Sequence, residues 1–383
     1  MRDVLVTGIG STAFGRHAGT PIEVLAVRAA AAALKDGGIA PSEIGALYLG
    51  NFVSGLLNGK EVLAGIVAER LGLPNIPCTK VEGACASGGI AFRHAWLAVA
   101  FGLCDSALVV GAETMTHAST AQATTALNCA LDDEVDGKSG ITFPGLFGLA
   151  WRAYAEKYGL SRSEVSAVVQ KNKGSGVMNP LAQMGAVVSA EEIESSTLIA
   201  DPLRLFDCCP MSDGAAAVVL TAQAHAANRS VRVLSSVQTR GPAAIGGHKD
   251  LTSFEATVLA AARAYEQAGI TAAQVDVVEL HDCFSIAEII DSEDLGLVPR
   301  GQGARWALEG RTALAGDIAI NPSGGLLAKG HPVGATGVGQ IYELVLQLRG
   351  GHSNQVPNAR IGMAHNLGGT GVACTVTLLE GVQ

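Results

Sequence analysis

The chain contains one series of short apolar runs and Ala-rich helical patterns, followed by a second series in the same order. Such alternation is typical of strands that are buried on both faces and connected by helices. The first series predicts strands near 3–9, 46–50, 78–82, 106–112 and 215–221, and helices near 21–37, 60–72 and 85–103. The second predicts strands near 231–238, 275–281, 317–320, 359–364 and 371–379, and helices near 252–269, 284–295 and 333–349. The sequence therefore predicts an α/β fold made of two halves with one plan.

The turns of the two series also correspond in their residues. ACASGGIAFRHAWLAVAFG in the first matches GHPVGATGVGQIYELVLQLRG in the second by position, and MSDGAAAVVLTA matches LGGTGVACTVTLL. Glycines at strand-to-helix turns let the backbone approach a ligand closely. We therefore expect a duplicated fold with its active site where the two halves meet.

Residues 117–205 fit neither series, and they divide the chain into three parts. The first half would comprise 1–116 plus 206–225, and the second half 226–383. The segment between them is small and polar at first and then carries helical patterns. Insertions of this size are usually lids or substrate-binding loops, so we predict a loop domain over 117–205. A structural or oligomer-forming flap is the alternative.

Composition indicates a protein with much buried surface. Of 383 residues, 48% are hydrophobic and 16% charged, which favours an oligomer. The net charge is −9 and no Lys/Arg block occurs, which argues against binding to nucleic acid or an anionic membrane. The negative net charge is still compatible with binding of a phosphorylated small molecule through local contacts. Candidate phosphate contacts are Lys171, Lys173 and Arg240.

Eight cysteines are scattered without a CxxC pair, which predicts a reducing, cytoplasmic location and no metal site. The start MRDVLVTGIG has no signal-peptide pattern, and no apolar run is long enough to span a membrane. VTGIGSTAFG lacks the spacing of a dinucleotide-binding turn, so that class of enzyme is excluded.

Cys85, in VEGACASGG, lies between a predicted strand and a predicted helix. A thiol at a helix N-terminus meets unpaired N–H groups and the positive end of the helix dipole, which favour the thiolate. Cys85 is therefore a candidate nucleophile. His331 opens the corresponding helix of the second half and is its candidate base.

His281 and Cys283 alternate at the end of the predicted strand VDVVELHDCF. Side chains two residues apart on a strand point to the same face, so both can face one pocket while Asp282 points away. FPGLFG supplies an apolar wall in which we expect Phe143 and Phe147 to shape a substrate pocket.

Four blocks, ACASGG, ELHDCFS, NPSGGLLAKGHPVGATG and HNLGGTG, resemble those of thiolases across essentially the whole chain. HDCF and HNLGGTG resemble the sterol-carrier-protein-2-type and archaeal-type branch, which includes acetyl-CoA acetyltransferases. The better-known branch carries Asn where this chain has His281, and a second catalytic Cys where it has His365. The resemblance implies a thiolase-like fold of duplicated βαβαβαββ halves in five layers, α-β-α-β-α, with a loop or helical insertion.

The resemblance also implies a chemistry, the thiolytic cleavage of a β-ketoacyl-CoA, or its Claisen reverse, through an acyl-cysteine at Cys85. His331 would act as base and help to hold an oxyanion. His281 would bind a water or a substrate oxygen in the first oxyanion hole. Cys283 or His365 would be the second acid/base, and both alternatives stay open.

Further roles follow from the resemblance alone. Backbone N–H groups at Leu367 and Gly368, with that of Cys85, would form a second oxyanion hole. Asn321 would orient His331, and Cys209 stands where relatives often carry a Ser that touches the pantetheine.

The resemblance implies that coenzyme A is a co-substrate and that no cofactor is permanently bound. It also implies that the enzyme acts in lipid metabolism. A homodimer or dimer of dimers is expected, and a small zinc-ribbon/OB-fold partner is associated with this branch. The alternatives are a ketosynthase-type condensing enzyme, a non-thiolytic carbon–carbon lyase, or a scaffold subunit that works with such a partner.

Overall fold

The computed structural model describes residues 1–222 and 230–382. The predicted boundary between the halves, at 225/226, lies outside the described residues. The first half begins with the elements β1 (Leu5–Ser11), α1 (Ile22–Gly37), β2 (Ala46–Gly50), α2 (Ser54–Asn58), α3 (Leu63–Leu71), β3 (Cys78–Val81), α4 (Ser87–Ala100) and β4 (Ser106–Glu113).

The segment after β4 adds no strand to the large sheet. It contains α5 (Thr120–Asn128), α6 (Phe143–Tyr158), α7 (Arg162–Met178), α8 (Ala190–Ser195) and a hairpin of β5 (Leu198–Ala200) with β6 (Leu203–Arg204). Buried residues of α6 and α7 join the core of the second half. The strand β7 (Gly214–Thr221) then completes the first half.

The second half repeats the order of the first. It contains β8 (Val231–Thr239), α9 (Glu255–Ala268), β9 (Val277–Glu279), α10 (Ser285–Asp294), α11 (Gly303–Leu308), β10 (Ala319–Ile320), α12 (Gly325–Lys329), α13 (Thr336–Arg349), β11 (Ile361–Gly368) and β12 (Ala373–Gly381). One prediction was too long: β9 ends at Glu279, so His281 lies in the following loop rather than on the strand.

The strand order shows the duplication. The first half runs β3-β2-β4-β7-β1 and the second β10-β9-β11-β12-β8, so corresponding strands occupy corresponding places. In each half the first three strands of this order are parallel to one another. The fourth strand, β7 or β12, runs antiparallel to both of its neighbours. A short antiparallel pairing of β1 with β8, at Leu5–Arg232 and Val6–Val231, makes the two five-stranded sheets continuous at one corner.

The helices form three layers around these sheets. α1 and α3 cover the outer face of the first sheet, α9 packs on β8 and β12, and α4 and α13 lie together between the sheets. β4 and β7 are buried at every residue, because helices cover both of their faces. The predicted five-layer α-β-α-β-α arrangement is confirmed.

Candidate active site

The two inner helices place the catalytic candidates together, because α4 and α13 meet near their N-termini. A Cβ atom on Gly88 would lie only 2.9 Å from the carbonyl oxygen of Gly334, so the close approach requires glycine. Cys85 occupies a short 3-10 turn before α4, after Ala84 with φ 51°. His331 precedes the equivalent turn before α13. The duplicated helix starts therefore bring one thiol and one imidazole to a common point.

A cavity of about 360 Å³ opens at this point. Cys85, Cys209, His281, Cys283 and His331 line it. The rest of the wall is mostly apolar, and includes Phe52, Met115, Phe143, Phe147, Phe284 and Leu367. No Lys, Arg, Asp or Glu is among the described residues of the lining.

The Cys85 side chain is partly exposed to this cavity, deep within the protein. Burial raises the pKa of its thiol to about 12, and the nearby carboxylates of Glu113 and Glu82 add to the effect. Hydrogen bonds from the backbone N–H groups of Gly369 and Cys85 itself offset only part of it. Desolvation therefore opposes the thiolate that the helix end is predicted to favour.

The two ring nitrogens of His331 have different surroundings. Its Nδ1 lies 2.7 Å from Thr336 Oγ1, and that hydroxyl donates to the carbonyl of Pro332 at 3.1 Å. Thr336 Oγ1 thus accepts from Nδ1–H, which leaves a lone pair on Nε2. The buried Nε2 has no hydrogen-bond partner among the described residues. Burial lowers the pKa of His331 to about 3, so the ring is neutral.

His281 faces His331 across the cavity. The ring centroids are 5.0 Å apart and the rings are nearly perpendicular, at 82°. Asn366 Nδ2 lies 3.1 Å from His281 Nδ1. Burial, together with the neighbouring His331 and His365, lowers the pKa of His281 well below its usual range.

Cys283 and Cys209 line the cavity beside Cys85. The N–H of Cys209 donates to the carbonyl of Cys283 at 3.0 Å. An antiparallel backbone pairing between Cys208 and Phe284 continues this contact. Asp282 points away and accepts the N–H of Leu326 at 2.7 Å. Burial raises the pKa of both the Cys283 and Cys209 thiols well above the usual value.

His365 lies behind the cavity and is fully buried. Its Nε2 lies 3.0 Å from Thr257 Oγ1, and its Nδ1 is 3.5 Å from the backbone N–H of His281. Both ring nitrogens therefore face protein partners. His365 is not among the cavity-lining residues.

The side chain of Asn321 has partners other than His331. Asn321 accepts the N–H of Leu280 at 2.9 Å and donates to Glu288 Oε2 at 3.0 Å, so it does not orient His331. The reason is its place at the end of β10, next to β9. Thr336 and Ser212, whose Oγ accepts the His331 N–H at 3.0 Å, hold that histidine instead.

The end of β11, where Leu367 and Gly368 lie, is close to the Cys85 turn. A Cβ atom on Gly368 would lie 2.3 Å from the carbonyl oxygen of Gly83, so Gly368 allows the strand to approach the Cys85 turn. The next residue, Gly369, directs its N–H to the Cys85 sulfur. The side chain of Leu367 lines the cavity.

The lysines proposed as phosphate contacts are buried. Lys171 forms an ion pair of 2.9 Å with Glu288, and Lys173 is 3% exposed. Burial lowers the pKa of Lys173 to about 8. Arg240 lies in a separate cleft with Arg93 and Arg263.

Four supporting residues were not identified from the sequence: Glu113, Ser212, Thr336 and Asn366. A carboxylate ending the fully buried strand β4 is the signal that could have revealed Glu113. Ser212 and Asn366 have partners in distant parts of the chain, His331 for the first and Gly89 and His281 for the second. Thr336 lies close to its partners His331 and Pro332 in the sequence, but its hydroxyl gives no signal in the sequence pattern.

The ligand atoms of Cys85, His281 and His331 lie within 4.8 Å of one another, a spacing that could also hold a metal ion. The same spacing suits proton transfer between a thiol and a free imidazole nitrogen.

Two family models match this chain, and several relatives align with it along nearly its whole length. Residues 4–224 match the family model of the thiolase N-terminal domain, and residues 239–381 match the thiolase C-terminal domain-like model. The acetyl-CoA acetyltransferase of Methanothermobacter thermautotrophicus is 42% identical over 99% of this chain and 100% of that protein. Human sterol carrier protein 2 is 34% identical over 99% of this chain and 72% of that protein.

A solved structure described as the Ltp2-ChsH2(DUF35) aldolase has a TM-score of 0.85 and 22% identity, covering 99% of this chain and 98% of that one. Such a likeness concerns the fold alone. The full-length relatives named as acetyl-CoA acetyltransferases, together with the thiolase family models, show that the chain is a CoA-dependent acyltransferase. The chain belongs to the thiolase family, whose reaction is the thiolytic cleavage of a β-ketoacyl-CoA, or its Claisen reverse, through an acyl-cysteine. Within the described residues, none of the helices has the length and apolar character that a membrane span requires.

Proposed function

We propose that Cys85 is the nucleophile and His331 the base of a ping-pong acyl transfer. In the cleavage direction, Cys85 Sγ attacks the keto carbon while His331 Nε2 takes the thiol proton. The carbon–carbon bond breaks, its electrons form the enolate of the departing acyl-CoA, and the acyl group stays on Cys85. The observation that carries this proposal is the grouping of Cys85, His281 and His331 within 4.8 Å around the free His331 Nε2.

Two sets of donors stabilise the negative charge in this scheme. The backbone N–H groups of Cys85 and Gly369 hold the tetrahedral oxygen at the acylated carbon, in place of the N–H groups expected near Leu367 and Gly368. His281, together with His331 once it is protonated, holds the oxygen of the enolate. Preorganised donors in a dry cavity are usually the largest contribution to such catalysis.

Cys283 is the proposed second acid/base. It lines the cavity, whereas both ring nitrogens of His365 face protein partners. Cys283 protonates the enolate, and the Cys283 thiolate then takes the proton of the incoming CoA thiol. The CoA sulfur attacks the acyl carbon, and Cys85 leaves as a thiolate that recovers its proton from His331. His365 is proposed to support the backbone of His281.

The proposed substrate is a β-ketoacyl-CoA with an uncharged, apolar acyl group. Phe143 and Phe147 line the cavity, and no charged side chain among the described lining residues would neutralise an acidic acyl group. Acetoacetyl-CoA is the first substrate to test, given the name of the archaeal relative. Cys209 is proposed to contact the pantetheine arm.

The proposed assembly is a cytoplasmic homodimer or dimer of dimers in lipid metabolism. β3 lies at one edge of the large sheet, where an antiparallel copy could extend it. A small zinc-ribbon/OB-fold partner is also proposed, since a similar fold occurs with a DUF35 component. We assign a loop-domain role to 117–205, because Phe143, Phe147 and Ile199 reach the cavity from it.

A thiolysis assay over a panel of β-ketoacyl-CoA substrates tests the proposal, with intact-protein mass spectrometry to detect the acyl-enzyme. Cys85→Ala should abolish both turnover and the acyl adduct. Cys104→Ala, at the opposite end of α4, is the matched control and should retain both. Turnover of Cys85→Ala at the wild-type rate would contradict the assignment.

A further inference from the structure

Asn366 occupies a confined position between the two inner helices. It lies on β11 and is 1% exposed. Its Oδ1 stands 3.2 Å from the position of a Cβ atom on Gly89 and 2.3 Å from that of one on Gly337. These glycines belong to the first turns of α4 and α13, so the amide is held at the crossing that forms the active site.

The orientation of this amide follows from its neighbours. Oδ1 accepts the backbone N–H of Gly89 at 3.3 Å. It also lies at the positive ends of two helices, where an oxygen is favoured over an NH₂ group. Rotating the amide by half a turn would place two donors against each other. The NH₂ group therefore points to His281 Nδ1, 3.1 Å away.

We infer that Asn366 sets the tautomer of His281. Because Asn366 donates to Nδ1, that nitrogen carries the lone pair, and the proton resides on Nε2, the nitrogen left to face the cavity. Asn366 is thus a positioning residue that makes His281 a hydrogen-bond donor. This inference rests on the proposed role of His281 as an oxyanion donor, but the tautomer itself can be measured without any activity assay.

The two imidazoles of the site then have opposite tautomers. His331 holds its proton on Nδ1, against Thr336, and presents a lone pair. His281 holds its proton on Nε2 and presents a donor. With the rings 5.0 Å apart, one accepts the thiol proton while the other holds a substrate oxygen. Two identical tautomers would leave the site short of either a base or a donor.

Nitrogen-15 NMR of histidine-labelled enzyme tests the tautomer directly. The His281 signals are assigned by their loss in His281→Asn, since the chain has nine histidines. At neutral pH, Nδ1 should show the shift of an unprotonated nitrogen and Nε2 that of a protonated one. The reverse pattern would overturn the inference even in an enzyme that catalyses thiolysis through Cys85. If the expected pattern is found but the enzyme does not catalyse thiolysis, the proposed function fails while the assignment of the tautomer stands.

Two variants of Asn366 give a kinetic test. Asn366→Ala removes the donor, and kcat should fall by about tenfold or more, as for a weakened oxyanion donor. Asn366→Asp keeps the shape but accepts from Nδ1–H, and its charge favours the imidazolium form of His281. The other titratable groups that face His281 are Cys85, His331, His365 and Cys283, and they are the same in both variants.

The pH dependence distinguishes the variants. In Asn366→Asp, the imidazolium keeps its Nε2–H at low pH, but the neutral ring at higher pH has its proton on Nδ1. The ratio of its kcat to that of wild type should fall as pH rises, whereas the ratio for Asn366→Ala should stay constant. A constant ratio for Asn366→Asp would overturn the inference. If Asn366→Asp does not fold, the NMR measurement on the wild-type enzyme decides the question.

Discussion

The backbone N–H of Gly334 donates to Glu113 Oε2 at 3.2 Å, and this bond joins the turn after His331 to the end of β4. The same carboxylate accepts from Asn51 Nδ2 at 2.7 Å and from the Phe52 N–H at 2.9 Å. Burial raises the pKa of Glu113 to about 7. The Glu113 side chain of the first half thus holds both the His331 turn of the second half and the cavity wall at Phe52.

Thr336 should control the basicity of His331, because its Oγ1 accepts from Nδ1–H. Thr336→Val removes that acceptor and frees the proton to move to Nε2. We expect kcat to fall by about 10-fold to 100-fold, a part of what a general base contributes. Thr336→Ser keeps the hydroxyl and should stay within a few-fold of wild type. Equal rates in the two variants would show that the hydroxyl has no such role.

The Cys85 thiol should resist alkylation at neutral pH. Since burial raises its pKa to about 12, the rate of iodoacetamide labelling should rise by about tenfold per pH unit between pH 7 and 10, without a plateau. Peptide mass spectrometry measures this rate, with the exposed Cys129 as an internal reference. A plateau near pH 7 would mean that the helix end stabilises the thiolate after all.

Proton exchange at the α-carbon of an acetyl-CoA analogue should depend on Cys283 rather than His365. Cys283→Ala removes the proposed acid/base, and exchange should slow by about 10²-fold to 10⁴-fold. His365→Ala leaves a cavity in the core and should mainly lower the melting temperature. Exchange rates are therefore compared per folded molecule. Faster exchange in Cys283→Ala than in His365→Ala would reverse the assignment.

Phe147 should influence the choice of acyl chain. It stacks on Phe284 with ring centroids 4.6 Å apart and lines the cavity. Phe147→Leu shortens this wall, and the ratio of kcat/KM for longer acyl chains over acetoacetyl-CoA should rise by about tenfold or more. Leu149→Ala, at an exposed site on the same helix, is the control. An unchanged chain-length profile would place Phe147 in the core alone.

Glu343 should contribute stability that depends on pH. Although burial opposes it, Lys329 and His352 lower the pKa of Glu343 to about 2. The contribution is fully present above the unfolded-state pKa of about 4.3 and is lost as pH falls through 2. Glu343→Gln should cost about 3–5 kcal/mol at pH 7, and the difference should shrink below pH 4. Denaturant unfolding measures it, with the exposed Glu134→Gln as control; a difference that does not change with pH would contradict the linkage.

The duplicated fold could be predicted because the strands are continuous apolar runs and recur in one order. The catalytic candidates followed from their places at matching turns. Hydrogen-bond partners could not be predicted in this way. Asn321 bonds to Leu280 and Glu288 because β10 lies beside β9, and this adjacency is a property of the folded sheet. The pKa of Cys85 depends on desolvation, which no short sequence pattern encodes.

Asn366 illustrates the same limit. In HNLGGTG the histidine is the obvious candidate because an imidazole can transfer protons near neutral pH. However, His365 lies behind the cavity, whereas the side chain of Asn366 contacts His281. Only the three-dimensional arrangement, with Gly89 and Gly337 on either side, distinguishes the two.

The close approach of Gly88 to Gly334 brings together the turns that carry Cys85 and His331, the proposed nucleophile and base. Gly88 belongs to the first half and Gly334 to the second. The distance between Cys85 and His331 is therefore a distance between the two halves. A side chain at position 88 would meet the backbone of Gly334 and push the two halves apart, which would lengthen the distance between Cys85 and His331. The rate of turnover therefore depends on how closely the two halves are packed.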